Sequence, residues 1–361
     1  MAIFPKHLRQ YLRIIWTVAA KDIIDAIRNK TTLSVILGVL MFTLSSQALP
    51  LLTRLSTEHQ VVVYSEDAAL VAALKKSEGL ELRQVASRQE LEQTLSEAMS
   101  GVMGLVIPAQ MPDANPVRLD GYRAHWVAPS ELDETRALVE RRLTALAEVP
   151  VQIDLTDHAV YPQPDADGHP LMAALALANA ILIMGTVIVP YAIIEEKETH
   201  TLDALLVSPA TAGQVIIGKA LAGLVYGLLA AGVVFLFNRA LVVHWGIALL
   251  AVLAGACFAV AVGLLLGGMF DNPQSMGLWM GLVLLILLGP IVLIQAMAAS
   301  WPAPLRAIMP WIPTVHMSRL FRISFAASVP SGQVLASLGL MGVSTALLLA
   351  MTIWQVRRRD R

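Results

Sequence analysis

Two neighbouring groups of residues have types and spacings that chemistry uses. Gly213-Gln-Val-Ile-Ile-Gly218-Lys219 is one residue short of a phosphate-binding loop, and Glu195, Glu196 and Glu198 crowd three carboxylates just before it. A phosphate loop needs Gly, four residues, Gly-Lys and then Ser or Thr, set between a buried strand and a helix. The hydroxyl of that last residue holds magnesium, and position 220 is Ala. Ser208-Pro209-Ala-Thr211 precedes Gly213 where an apolar strand should stand. Thr211 and Gln214 have capping-box spacing with Thr211 as N-cap, so Gly213 and Gly218 read as early residues of an apolar helix. The acidic group then needs its own account. Leu202, Leu205 and Leu206 share one helix face by their i, i+3, i+4 spacing. Ser208-Pro209 ends that helix, because the residue before proline avoids the α region. The spacing predicts a short helix with an acidic start, an apolar face and a hard stop. A plain amphipathic loop between two helices fits the same residues.

The elements around this stretch belong to a membrane protein. The chain has 361 residues, 56% hydrophobic and only 15% charged, against about 25% charged for a soluble domain. Six apolar runs approach the roughly 20 residues needed to cross a bilayer core: 33–53, 171–194, 220–238, 246–269, 275–300 and 333–354. The first contains Thr43, Ser45, Ser46, Gln47 and Pro50. Ser46-Gln-Ala48 has the small-x-small form of a signal-peptide cleavage site, but 32 residues precede the run, too many for a normal n-region. It reads as a retained signal-anchor helix. Cys257 is the single cysteine, which excludes an internal disulfide and a cysteine-rich metal site. It reads as a small packing residue.

Lys and Arg set the expected orientation. Residues 1–32, the 195–219 loop and the 332–361 tail carry twelve between them. The short loops of the other side hold Arg239, Arg306, Arg319 and Arg322. Both termini are therefore expected in the cytoplasm. Residues 54–170, the one large polar segment, are then extracytoplasmic, with 10 basic and 19 acidic residues. Their pattern reads as α/β: strands at 59–65, 80–86, 101–108, 117–126 and 151–156, with helices at 67–77, from Ser87 and Glu90 to Met99, and from Ser130 and Asp133 to about 147. Residues 161–170 form a Pro/Asp/Gly linker. His59, His125, His158 and His169 lack metal-ligand spacing, and neither a Gly-x-Ser-x-Gly elbow nor a His-Glu-x-x-His helix occurs. The segment reads as folded and non-catalytic.

The remaining segments fill out the layout. In residues 1–32, Leu8, Tyr11, Leu12, Ile15, Ala19, Ile23 and Ile27 make an apolar stripe among basic residues, suited to a helix lying in the membrane interface or packed on its own protein. Gly223-x3-Gly227, Gly263-x3-Gly267 and Gly277-x3-Gly281 permit close helix approach, within one subunit or between two. No ionisable residue lies centrally in an apolar run, which weighs against an ion-coupled carrier or pump. Asn179, Asn238 and Gln295 read as helix–helix hydrogen bonds, and Pro190 and Pro290 as kinks. Residues 301–331, with five prolines, two tryptophans and three arginines, read as an outer re-entrant or interfacial segment, its arginines facing headgroups or water.

The stretch from 195 to 219 resembles the cytoplasmic signature of ABC type-2 exporter permeases, in the branch similar to sodium-extrusion and drug-export permeases. The matching residues are Glu195, Glu196, Glu198, Thr201, Leu202, Asp203, Leu205, Leu206, Ser208, Pro209 and Lys219. His200 and Asp203 stand where many members have Gly and Glu. The resemblance implies a polytopic α-helical membrane protein of six transmembrane helices, with an α/β extracytoplasmic domain inserted between helices 1 and 2. It divides as 1–32, 33–53, 54–170, 171–194, 195–219, 220–300, 301–331 and 332–361. It implies a non-catalytic permease in the bacterial inner membrane, coupled through 195–209 to a separate ATP-binding subunit that holds ATP and magnesium. A second permease copy or a related subunit completes it; no cofactor is expected in this chain, and membrane lipids are its other partners. The sequence leaves two other readings open: a membrane-anchored sensor or assembly scaffold whose external domain binds a ligand, and a membrane enzyme. It does not name the substrate.

Overall fold

The computed structural model describes residues 6–28, 59–75, 79–109, 114–198, 211–297 and 302–359, with scattered positions between 30 and 45. Most of the apolar run 33–53 and all of 199–210 lie outside the described residues.

Residues 59–160 build a mixed sheet. Its strands are β1 (His59–Ser65), β2 (Leu80–Val85), β3 (Met103–Ile107), β4 (Val117–Ala124), β5 (Val151–Asp154) and β6 (Ala159–Val160). They run in the order β2-β1-β3-β4-β5, with β6 also on β4. Only β3 and β4 pair antiparallel. A sheet covered on both faces needs strands buried on both sides, and β1 meets this with Val61, Val62 and Val63 all buried. Val61 and Val63 join one core, with Val71 and Leu74 of α2 (Ala68–Lys75) and Val139 and Leu143 of α4 (Asp133–Ala147). Val62 joins the other, with Leu91 and Leu95 of α3 (Arg88–Ser96).

Two helix boundaries differ from the sequence expectation. Ser87 caps α3 by accepting from the Glu90 amide, while the Glu90 carboxylate reaches back to the Ala86 amide instead of that of Ser87. That helix stops at Ser96, short of Met99. Ser130 gives α4 no side-chain cap, because a 3-10 turn at Pro129–Leu132 leads into it.

The helical body holds five helices long and apolar enough to span a bilayer among the described residues. A continuous helix over 168–198 comprises α5 (Gly168–Ile183), a π segment (Met184–Ile188) and α6 (Val189–Glu198). Next come α7 (Ala212–Asn238), α8 (Trp245–Met269), α9 (Pro273–Met297) and, after α10 (Ala303–Ile308) and α11 (Pro313–Phe325), α12 (Ser331–Arg359). The 31 residues from 168 to 198 reach about 45 Å at 1.5 Å per residue, more than the bilayer core needs. The π segment has two causes. Pro190 has no amide to donate back, and Thr186 Oγ1 turns onto the Leu182 carbonyl at 2.6 Å. Gly185 then lies so close to α8 that a Cβ on Gly263 would stand 2.0 Å from its carbonyl oxygen. The Gly263/Gly267 pair thus serves packing within the chain.

Two side chains depart from what their sequence context suggests. Arg322 is buried in α11 instead of facing headgroups or water, because α11 packs among α5, α8, α9 and α12. Cys257 lies on an exposed face of α8 instead of inside. Asn238 donates to the Val234 carbonyl of its own helix at 2.9 Å.

The sheet unit rests on one end of the helical body. His125 Nε2 lies 3.1 Å from the Leu241 carbonyl, and Trp126 packs near His169 at the start of α5. Gly168, at φ +63, passes Glu97 so closely that a Cβ would fall 1.6 Å from the Glu97 carbonyl oxygen. Only glycine fits that conformation and that space.

Candidate functional site

The opposite end of the helical body carries the acidic group singled out in the sequence. Glu195, Glu196 and Glu198 form the last turn of α6. Thr201, Leu202, Asp203, Leu205, Leu206, Ser208 and Pro209 lie outside the described residues.

Glu196 is the centre of a charge cluster. Its Oε1 is 3.0 Å from Lys21 Nζ and its Oε2 is 2.7 Å from Lys219 Nζ. Lys219 Nζ in turn lies 3.2 Å from Asp22 Oδ2. Two cations and two carboxylates alternate, and Asp25, 3.9 Å from Lys21 on the exposed side, adds a third carboxylate. Lys219 and Asp22 are buried, with side chains 5% and 9% exposed. Taking such charges from water is costly, and their mutual contacts offset that cost only while every partner is present. Burial raises Asp22 above its ordinary carboxylate pKa, against the opposing pull of Lys219. Burial works against the charge on Lys21, yet its bond to Glu196 and the nearby acids hold its pKa above the usual lysine value.

The cluster joins three helices because α1 (Lys6–Arg28) packs along α7. Ile15, Val18 and Ala19 are the buried face of α1, and Asp22 continues that face one turn on. Tyr226 on α7 donates to the Asp22 carbonyl at 2.7 Å. At Gly218 a Cβ would stand 2.7 Å from the Val18 side chain, so this glycine marks where the two helices cross. Tyr11, Leu12 and Trp16 of α1 remain exposed. The helix therefore packs on its own protein along one side and keeps an apolar set on another.

Lys197 anchors the same turn of α6 on its other side. Its Nζ donates to the Gly267 and Phe270 carbonyls at 2.8 and 2.9 Å, and lies 3.0 Å from Asp271 Oδ1. A cation among the last carbonyls of α8 satisfies orphaned acceptors and favours the negative end of the helix dipole. Glu196 thus ties α6 to α1 and α7, and Lys197 ties it to α8 and the turn before α9.

The far side of the loop is fixed as well. Thr211 Oγ1 accepts from the Gln214 amide, and Gln214 Oε1 accepts from the Thr211 amide at 2.8 Å. The capping box expected from the sequence is complete. Gly213 has open space around it. Gly218 and Lys219, which gave the segment its likeness to a phosphate loop, serve helix crossing and ion pairing instead.

The site holds no nucleophile set against a base, and among the described residues no cluster of His, Cys, Asp or Glu could hold a metal. What the arrangement can do is mechanical. The two ends that flank residues 199–210, the last turn of α6 and the start of α7, are tied to α1 and α8, so a displacement of either end is shared among four helices. Sequence reasoning missed Lys21, Asp22, Tyr226 and Asp271. The available signal was Asp22, an acid on the apolar side of an amphipathic helix.

Residues 30–354 match the family described as ABC-2 family transporter protein. No curated protein matches the chain.

Proposed function

We propose, from the premise that the chain belongs to the ABC-2 family of transporter proteins, that it is the membrane half of an ATP-driven exporter. Members of the family are permease components of ABC transporters, multi-pass transport subunits that work with an ATP-binding partner. In this chain the coupling element is 195–209, docking on that partner through its acidic start and the apolar face of Leu202, Leu205 and Leu206. ATP and magnesium are bound and used in the partner. Closure of two ATP-binding subunits pushes on the loop and on α1, and two permease subunits rearrange to release cargo outward.

Both termini and the 195–219 loop face the cytoplasm, and 54–170 lies outside the inner membrane. Residues 33–53 supply the sixth crossing, in keeping with α1 and the sheet standing at opposite ends of the helical body. A second copy or a related subunit completes the transporter. Helices α9 and α12, the least buried of the five at 28% and 11%, leave apolar surface for it and for lipid.

The observation that carries this reading is the double anchoring of the last turn of α6 through Glu196 and Lys197. The test is co-purification of the full chain with its ATP-binding subunit, and transport by the reconstituted pair. Leu205→Glu is expected to abolish coupled transport while the chain still inserts and folds. A chain that binds no ATP-binding subunit, with transport unchanged by Leu205→Glu, refutes the coupling role. Protease cleavage of 54–170 from the cytoplasmic side refutes the orientation. Ligand binding by the chain without any ATP-binding partner favours a sensor or scaffold.

A further inference from the structure

Helix α11 carries a buried cation, Arg322. Arg322 is 8% exposed, and among the described residues its Nε and Nη1 have no hydrogen-bond partner. One turn earlier on the same face, Ser318 is 2% exposed and its Oγ is likewise without a partner. The acids whose charge reaches Arg322 are Asp167, just before α5, and Asp165 in the linker ahead of it, and neither forms an ion pair with it. Arg319 adds a second positive charge nearby. The other buried polar side chains of α11 are satisfied. His316 bonds Ser337 and the Pro310 carbonyl, Ser324 bonds the Phe321 carbonyl and Thr314 bonds the Leu287 carbonyl.

Buried polar groups without partners are rare, and a guanidinium is the most costly of them to leave so. A hydroxyl and unpartnered guanidinium N–H groups on one helix face are complementary to an anionic oxygen group. We propose that Ser318 and Arg322 form a receptor for the phosphate of an amphiphile whose head is net negative, so that no cation of its own answers the phosphate, and which enters the helical body at the end against the sheet unit. The receptor lies in a chain otherwise almost free of buried membrane charge, so it selects the head of the molecule while apolar surface accepts the tail. The proposal deepens the permease reading by naming a ligand class, but its test needs no ATP-binding subunit.

The test uses the full chain, purified and placed in phosphatidylcholine nanodiscs doped with phosphatidylglycerol, with retained lipid counted by native mass spectrometry. Phosphatidylglycerol is expected to be retained over phosphatidylcholine, and Arg322→Gln to weaken that preference by about tenfold or more, as loss of a charge-assisted hydrogen bond implies. Ser318→Ala and Arg322→Lys, which keep the volume and the charge respectively, are expected to weaken it by less. Inorganic phosphate is the competing probe. Displacement of the lipid by millimolar phosphate assigns the site to free phosphate, and no displacement assigns it to a lipid head. Should Arg322→Gln fail to fold, Ser318→Ala and Arg322→Lys decide the matter. Wild-type preference in those two variants overturns the proposal. So does a structure in which Arg322 pairs with Asp167. None of these outcomes bears on whether the chain binds an ATP-binding subunit, so the two readings fail separately.

Discussion

Glu196 Oε2 lies 2.7 Å from Lys219 Nζ, joining the end of α6 to the first turns of α7 across the loop between them. The contact is nearly dry, with side chains 11% and 5% exposed. Removing Glu196 takes one partner from each of two lysines, leaving Lys219 with Asp22 and Lys21 with Asp25. Glu196→Ala is therefore expected to cost about 3–5 kcal/mol, the range for breaking a buried pair. Adding Lys219→Met to it should not restore the loss, because the buried Asp22 carboxylate then loses its lysine. Thermal unfolding in detergent of the single and double variants checks both statements.

Lys197 holds the other side of that turn through two carbonyls and Asp271. Lys197→Met is expected to cost less, about 1–2 kcal/mol, the scale of a cation at a helix C-terminus. In the reconstituted pair it should lower transport more than ATP hydrolysis, because the loop root loosens while the partner still docks. Equal losses of both would mean that Lys197 acts on docking alone.

Packing sets a third expectation. A Cβ on Gly263 would meet the Gly185 carbonyl, whereas one on Gly281 would meet nothing within 4 Å. Gly263→Ala forces α8 away from the π segment and is expected to cost about 1–3 kcal/mol or more, as overpacking does. Gly281→Ala should leave the stability of the single chain within about 0.5 kcal/mol. If Gly281→Ala also shifts the oligomeric state, α9 is the helix that meets the second permease.

The seat of the sheet unit on the helical body should weaken in acid. Burial pushes the His125 pKa below its ordinary 6.5, with Arg123 acting in the same direction and the Leu241 and Val160 carbonyls opposing it. The folded state thus prefers neutral imidazole, which donates Nε2–H to the Leu241 carbonyl. This stabilisation is present above pH 6.5 and is lost as pH falls through that value and then through the lower folded pKa. Limited proteolysis of 54–170 should accelerate below pH 6.5 in the wild type, and His125→Gln should remove that His125-dependent part. An unchanged pH profile in His125→Gln would show that another group titrates there.

The sequence carried the local features and lost the distant ones. Thr211 and Gln214 stand three residues apart, and a capping box is a short-range device, so its two bonds were legible. The β-branched run of β1 likewise announced a strand, although its burial on both faces shows only in the fold. The partners of Glu196 were not legible, because Lys21 is 175 positions away and reads by itself as one more basic residue near a membrane. The burial of α11 was hidden by its composition. Short polar side chains such as Ser324 bond to their own backbone and so tolerate an interior that their identities do not suggest. The orphaned Arg322 was read as a headgroup contact because composition cannot tell a buried guanidinium from a snorkelling one.

The order of charges between α1 and its neighbours also fixes what kinds of movement are open. Lys21, Glu196, Lys219 and Asp22 interlock as teeth of alternating sign. Sliding α1 by one turn in one direction would bring Val18 against the Lys219 and Glu196 heads. Sliding it the other way would bring Asp25 and Ala26 there. Either step breaks contacts that have no substitute at the new register. Pivoting about Glu196 keeps the two Glu196 pairs at the pivot, where displacement is least. The joint is therefore a keyed hinge: α1 can tilt with the loop root but cannot ratchet along it.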